Sequence, residues 1–260
     1  MLSPGGEFDQ PSVWLDLCRE SMQMYREFVE KLREKTAISI DFKICGCRKF
    51  SEDGRESHLY PGDGFVDPTD LLRALHTECD ALGVELLEHQ PVATIQSEDH
   101  AAVVIAAGAW SNQVSVTHGD RRVDLPPVKP IKGHLIGFDL EPGTLGPMLR
   151  RGHTYILQRS SGFTIAGSTE EEVGFDRSVD AGICAEIHRR ATELWPALAN
   201  RKPSRQWIGF RPCPGAPGAG PYMTRVNGTN VWLAYGHYRN GILLAPLTAQ
   251  RITAEIESAE

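Results

Sequence analysis

No run in the 260-residue sequence approaches the ~20 consecutive apolar residues that a membrane-spanning helix needs. No membrane partner is therefore expected. Positive charge is in deficit: 27 Lys and Arg against 34 Asp and Glu give a formal net charge of −7. A nucleic-acid partner calls for a cationic face, so none is expected either. Cysteine is sparse and scattered. Cys18, Cys45, Cys47, Cys79, Cys184 and Cys213 include one C-x-C pair and match neither a zinc spacing nor a disulfide framework. The nine histidines contain no H-x-x-x-H pair, which leaves no expectation of a metal site. The opening MLSPGGEFDQ has no basic segment followed by an apolar one, predicting a cytoplasmic chain with reduced thiols. Internal repeats and low-complexity tracts are absent as well.

What is present is an ordinary globular composition, 41% hydrophobic and 23% charged, patterned into clear elements. Residues 12–34 predict a helix capped by Ser12, with Trp14, Cys18, Tyr25, Phe28, Val29 and Leu32 on one face. Residues 37–50 alternate apolar and polar side chains, as a half-exposed strand does. A second helix is punctuated at both ends. Asp67 caps it, Pro68 takes its first position, Asp70 sits in its first turn, and Gly83 stops it after the stripe Leu71, Leu75, Cys79 and Leu82. Val84 to Leu87 predict a strand, and Ala102 to Ala106 a strand buried on both faces, leading into Ala107-Gly108. That order predicts a nucleotide-binding-like α/β layer.

After residue 113 the pattern changes. LIGFDL, YILQR and FTIAGS are short alternating runs separated by Gly and Pro, which predict an antiparallel sheet in a second, interleaved domain. A helix over 181–196, a strand over Val231 to Tyr235 and a final helix after GHYRNGILLAP (236–246) complete the reading. The fold class is α/β plus α+β.

Six colinear stretches carry a resemblance: VDPTDLLRAL, VVIAAGAWS, PVKPIKGHLIGF, TYILQRSSGFTIAGSTEEEVGFD, WIGFRP and GHYRNGILLAP. Together they resemble the D-amino-acid-oxidase-like family of FAD-dependent amine oxidases, and within it the glycine oxidases linked to thiamine biosynthesis. MLSPGGE resembles the family segment that passes beside the flavin. Members of the family open with a strand, a G-x-G-x-x-G turn and a helix that hold the FAD diphosphate. That unit is missing here, and the GAPGAG cluster at 215–220 has a different spacing. Residues 50–65 and 95–102 are also short against the family pattern. The chain thus reads as an N-terminally truncated relative. A partial FAD-binding, Rossmann-like domain (1–36, 65–113 and 209–260) is interleaved with an antiparallel-sheet substrate-binding domain (37–64 and 114–208). The apolar edge left by the missing unit predicts low solubility or a homo-oligomer.

The resemblance implies oxidation of a small amino acid to an imine, with O2 reduced to hydrogen peroxide by way of non-covalent FAD. It implies substrate-binding roles for Arg211, which matches the carboxylate-binding arginine, and for Tyr155, His153 and Arg239. Two planar donors on a guanidinium suit both oxygens of a carboxylate. It further implies that the flavin edge meets Met1, Leu2, Val92, Ala107 and Gly108. The turn and helix start His237, Tyr238, Arg239, Asn240, Gly241, Ile242 and Leu243 would complete that contact. No protein acid or base is required for hydride loss from a neutral amine. Cys213 does not align with the cysteine of relatives that hold flavin covalently. Glu170 aligns with a position that faces the active site, or else points to solvent beside Glu171 and Glu172. Two alternatives stay open: a non-catalytic remnant without FAD, and an oxidase of sarcosine or another secondary amine.

Overall fold

In the computed structural model, which describes residues 1–8, 10–216 and 218–259, the chain opens with a single helical turn, α1 (Pro4–Glu7). Pro217, inside the GAPGAG cluster, lies outside the described residues. Helix α2 (Val13–Thr36) begins where the Ser12 hydroxyl accepts the Leu15 amide at 3.2 Å. Leu15, Cys18, Ser21, Tyr25, Val29 and Leu32 form its buried stripe. Each large apolar member stabilises the fold by about 1.5–3 kcal/mol on leaving water.

Residues 37–50, expected as one strand, form two: β1 (Phe42–Ile44) and β2 (Cys47–Phe50). Gly46 takes φ +78° between them, a conformation that costs glycine little. The chain turns there, so β2 pairs with β3 (Ser57–Tyr60) while β1 pairs with β4 (Gly64–Val66). Helix α3 (Pro68–Ala81) starts as its sequence dictates, with the Asp67 carboxylate accepting the Thr69 amide at 2.9 Å. The strand expected over 84–87 is not formed. Val84, Leu86 and Leu87 are exposed, and no described strand pairs with them. A short apolar run makes a strand only where a ladder partner satisfies the backbone.

Next come β5 (Thr94–Gln96), β6 (Val103–Ile105), β7 (Ser115–His118) and β8 (Arg121–Arg122). The long β9 (Val128–Asp139), β11 (Thr154–Gln158) and β12 (Phe163–Gly167) realise the three expected runs, and β10 (Met148–Arg151) is a strand that the sequence reading did not expect. Helix α4 (Ala181–Leu194), capped by Asp180 accepting the Ile183 amide at 2.8 Å, precedes β13 (Arg205–Pro214). The chain closes with β14 (Tyr222–Arg225), β15 (Val231–Tyr235) and α5 (Gly241–Glu257).

Seven strands form the main sheet in the order β13-β9-β12-β11-β10-β2-β3, antiparallel except where β2 lies parallel to β10. Helix α4 covers one face, packing Cys184, Ile187 and Ala191 onto Ile136, Phe138, Ile156 and Ala166. The opposite face carries Met148, Leu157 and Ile165, and the candidate site is built on that side. A smaller sheet has the order β14-β15-β6, with β6 parallel to β15. Burial of β6 on both faces is corrected by the structure: Val103 and Ile105 are buried, whereas Val104 is 43% exposed. No described element covers that face of β6, and a groove of ≈410 Å³ runs between it and α5.

Helix α5 contains Pro246, whose nitrogen cannot donate to the Ile242 carbonyl four residues earlier. The Tyr25 hydroxyl donates to that carbonyl instead, and Ser21 Oγ donates to the Leu243 carbonyl at 2.6 Å. Two hydroxyls of α2 thereby fix the first turn of α5, which forms one wall of the site. No helix among the described residues is long and apolar enough to cross a membrane.

Candidate active site

Strand register assembles the site. In the β10–β11 hairpin Arg150 stands opposite Tyr155, and Tyr155 stands opposite Gly167 of β12. The alternation of strand side chains sends Tyr155 to the face away from α4. Arg211 on β13 is paired with Ile131 of β9, and its guanidinium lies over the nearby Gly133. Its Nη1 donates to the Thr169 carbonyl at 2.9 Å, and its Nη2 donates to the Ser168 hydroxyl at 2.8 Å. Both acceptors are neutral, and no carboxylate among the described residues pairs with Arg211. Arg211, Tyr155, Ser168, Arg150, Arg239 and Ile242 line a cavity of ≈110 Å³, closed on another side by Met1, Ser3 and Glu7.

The other two arginines of the cavity are matched by acid. Glu7 bonds Arg150 through one oxygen, and its other oxygen is 2.8 Å from Arg239 Nε. Arg239 Nη1 also bonds Glu170. The segment carrying Glu7 is anchored by the buried Asp63, which accepts Ser3 Oγ at 2.5 Å and the amides of Gly5 and Gly6 at 3.0 and 2.8 Å. Burial lifts the Asp63 carboxyl above its ordinary range, against the pull of those three donors. Burial likewise raises the Tyr155 phenol, with Arg211, Arg239 and Arg150 opposing, so it remains a hydrogen-bond donor.

The residues singled out from the sequence fall into three groups. Arg211, Tyr155, Arg239, Met1, Asn240 and Ile242 meet at the cavity. His153 lies in the hairpin turn rather than on the strand beside Tyr155, and lines a neighbouring, larger cavity. Tyr238 joins it there, with backbone φ at +49°, a strained conformation for a tyrosine. The rest are set back. Leu2 is buried, its backbone bonded to Gly64; Leu243 belongs to the core with α2. Ala107 and Gly108 follow β6, Val92 is exposed, and His237 and Gly241 line the groove between β6 and α5. Sequence reasoning missed Glu7, Arg150, Ser168 and Gly133. Arg150 alone carried a usable signal: a turn at Gly152-His153 in MLRRGHTYIL places it opposite Tyr155.

Gly133 is a glycine for a reason of space. A methyl group there would come within 2.4–2.7 Å of the Arg211 guanidinium. The obstructing atoms are the far end of a flexible side chain, so the fold can survive while the guanidinium moves. Gly133→Ala is expected to keep its melting temperature within a few degrees yet to weaken carboxylate binding roughly tenfold. Titration calorimetry with acetate beside a thermal melt reads both. Unaltered binding would show that the Arg211 position is not critical.

His237, at the turn before α5, is buried and its Nε2 lies 2.9 Å from Thr248 Oγ1. Burial lowers its pKa from 6.5 to about 4, so the folded imidazole stays neutral. The unfolded chain takes up a proton near pH 6.5 that the folded chain does not, and stability therefore falls as pH drops. Between pH 6.5 and 4 this group is expected to remove about 3 kcal/mol. His237→Gln should flatten that part of a stability-against-pH curve measured in urea; an unchanged slope would reject the assignment.

Comparison with known proteins gives consistent findings. Residues 49–255 match the family described as DAO, FAD dependent oxidoreductase. The bifunctional protein ThiO/ThiG of a Synechocystis species is 31% identical, over 97% of this chain and 44% of its own length. Glycine oxidase from Pseudomonas putida is 37% identical over 61% of this chain and 42% of its own. The chain thus spans less than half the length of these two curated relatives. The crystal structure of glycine oxidase from Geobacillus kaustophilus superposes with a TM-score of 0.87 at 26% identity, covering 99% of this chain and 82% of that one.

Proposed function

Because the chain belongs to the FAD dependent oxidoreductase family, we propose that it oxidises a small α-amino acid of the size of glycine or sarcosine. FAD would accept the electrons and O2 would reoxidise it to give hydrogen peroxide. One observation carries this reading: Arg211, bonded only to neutral acceptors among the described residues, faces a cavity of ≈110 Å³ beside the Tyr155 phenol. A cavity of about 150 Å³ holds benzene, so this one suits a ligand of roughly five heavy atoms. Glycine has that size and one carboxylate.

The residues present fit the ring end of FAD. Helix α5 begins without a side-chain cap at Asn240, which leaves its first amides free to meet the electron-rich edge of a flavin. Those amides and Met1 would hold the ring. No G-x-G-x-x-G turn joins a strand to a helix among the described residues, so they offer no diphosphate cradle of that kind. When bound, the flavin supplies the two-electron oxidation of the substrate C–N bond. The chain's own groups bind and orient. Arg211 takes the carboxylate, Tyr155 donates to it, and Ile242 closes the cavity on the α5 side. We propose that FAD is held non-covalently, since burial raises the Cys213 thiol and disfavours the thiolate that a covalent link requires.

The second reading is a chain that folds without flavin. Incubating the protein with FAD and glycine and measuring peroxide against glyoxylate separates the two. Equal amounts of both products support the oxidase. Neither product at any FAD concentration would leave the second reading.

A further inference from the structure

Arg239 stands in the wall between two chambers. The inner one is the ≈110 Å³ cavity; the outer one, ≈460 Å³, is lined by Lys49, Ser51, Glu52, His153 and Glu170. Glu7, Arg150 and Arg239 border both, so their ion pairs form the partition. Within it Arg239 is engaged on two edges, through Nε to Glu7 at 2.8 Å and through Nη1 to Glu170. Nη1 also lies 3.2 Å from His153 Nδ1. Arg150 is engaged by Glu7. Of the three guanidiniums lining the inner cavity, only Arg211 has no carboxylate partner among the described residues.

A ligand with one carboxylate finds one seat of matching charge. A second carboxylate would face an arginine whose charge is already balanced, beside a glutamate that repels it. We propose that Glu170 sets the ligand class of this site: by occupying Arg239 it confines the site to monocarboxylates, and its removal turns Arg239 into a second carboxylate seat facing the outer chamber, which has room for the part of a dicarboxylate that the inner cavity cannot hold. The inference rests on the reading of Arg211 as the first seat. Glu170 keeps its charge in place. Burial opposes its ionisation, but Arg239, the Tyr238 hydroxyl and His153 outweigh burial and hold the carboxyl below its ordinary range. The side chain is only partly exposed, and the pairing fixes its direction toward the partition rather than toward Glu171 and Glu172.

Acetate and malonate, which this chemistry cannot oxidise, read the selectivity by titration calorimetry on the full chain. The wild type is expected to bind acetate at least tenfold more tightly than malonate. Glu170→Gln should shift that ratio toward malonate by a further factor of roughly ten, and Glu170→Met should do the same without a polar replacement. Adding Arg239→Ala to Glu170→Gln should erase the gain, because the second seat is then gone. A ratio unmoved in both Glu170 variants, with acetate binding still lost in Arg211→Ala, overturns the role of Glu170 and leaves the first seat intact. Acetate binding that survives Arg211→Ala overturns both.

Discussion

Arg211→Ala is expected to weaken carboxylate binding by on the order of 10²- to 10³-fold, from the 2–5 kcal/mol typical of truncating one partner of a desolvated charge pair. The size follows from the surroundings. Arg150 and Arg239 spend their charge on Glu7 and Glu170, so neither can replace the lost guanidinium. Ser168 and Thr169 are acceptors toward Arg211 and would present lone pairs to a carboxylate once the arginine is gone. Arg211→Lys should recover only part of the loss, since an ammonium cannot span two oxygens in a plane. If the enzyme turns over, the effect should fall mainly on KM. Unchanged KM and unchanged acetate affinity would remove Arg211 from the site.

Glu7→Ala is expected to lower stability by about 3 kcal/mol, because it strips the carboxylate from two largely buried arginines at once. For a chain of this length that corresponds to a fall in Tm of roughly 6–12 °C. Arg150 is 7% exposed, so water can reach its unpaired charge only after local opening. Arg239 retains Glu170 and would suffer less. Glu7 also ties three distant segments together: α1, β10 and the turn before α5. Its loss should loosen the cavity wall as well as the fold. A Tm within 2 °C of the wild type would mean that the arginines rearrange into solvent without cost.

The parts of the fold that were legible in the sequence are those fixed by local chemistry. Ser12, Asp67 with Pro68, and Gly83 mark helix ends by hydrogen bonds or backbone angles that span three or four residues. The runs around Ile136, Ile156 and Ile165 announce strands because one face of each is buried against α4 or the opposite core. Misreadings arose where the outcome depends on a neighbour. Residues 84–87 are mostly apolar but have no described partner, and Val104 is apolar on a face that no described element covers.

The site divides along the same line. Arg211 and Tyr155 were legible through a resemblance to a family, and the structure brings them to one cavity. Glu7 was not, since nothing in PGGE says that it will meet Arg150, 143 positions away. Gly133 was unreadable for a similar reason: its lack of a side chain matters only because Arg211 arrives from another strand. Glu170 was visible as a charge, yet its direction depends on where α5 begins.

The central claim, that this chain builds a flavin-dependent site for a small amino acid, meets its most direct test in a visible spectrum. Protein purified after incubation with FAD should show bound-flavin bands near ~370 and ~450 nm that bleach when glycine is added without oxygen. Protein that retains no flavin, or whose bands persist with both glycine and sarcosine, would contradict it.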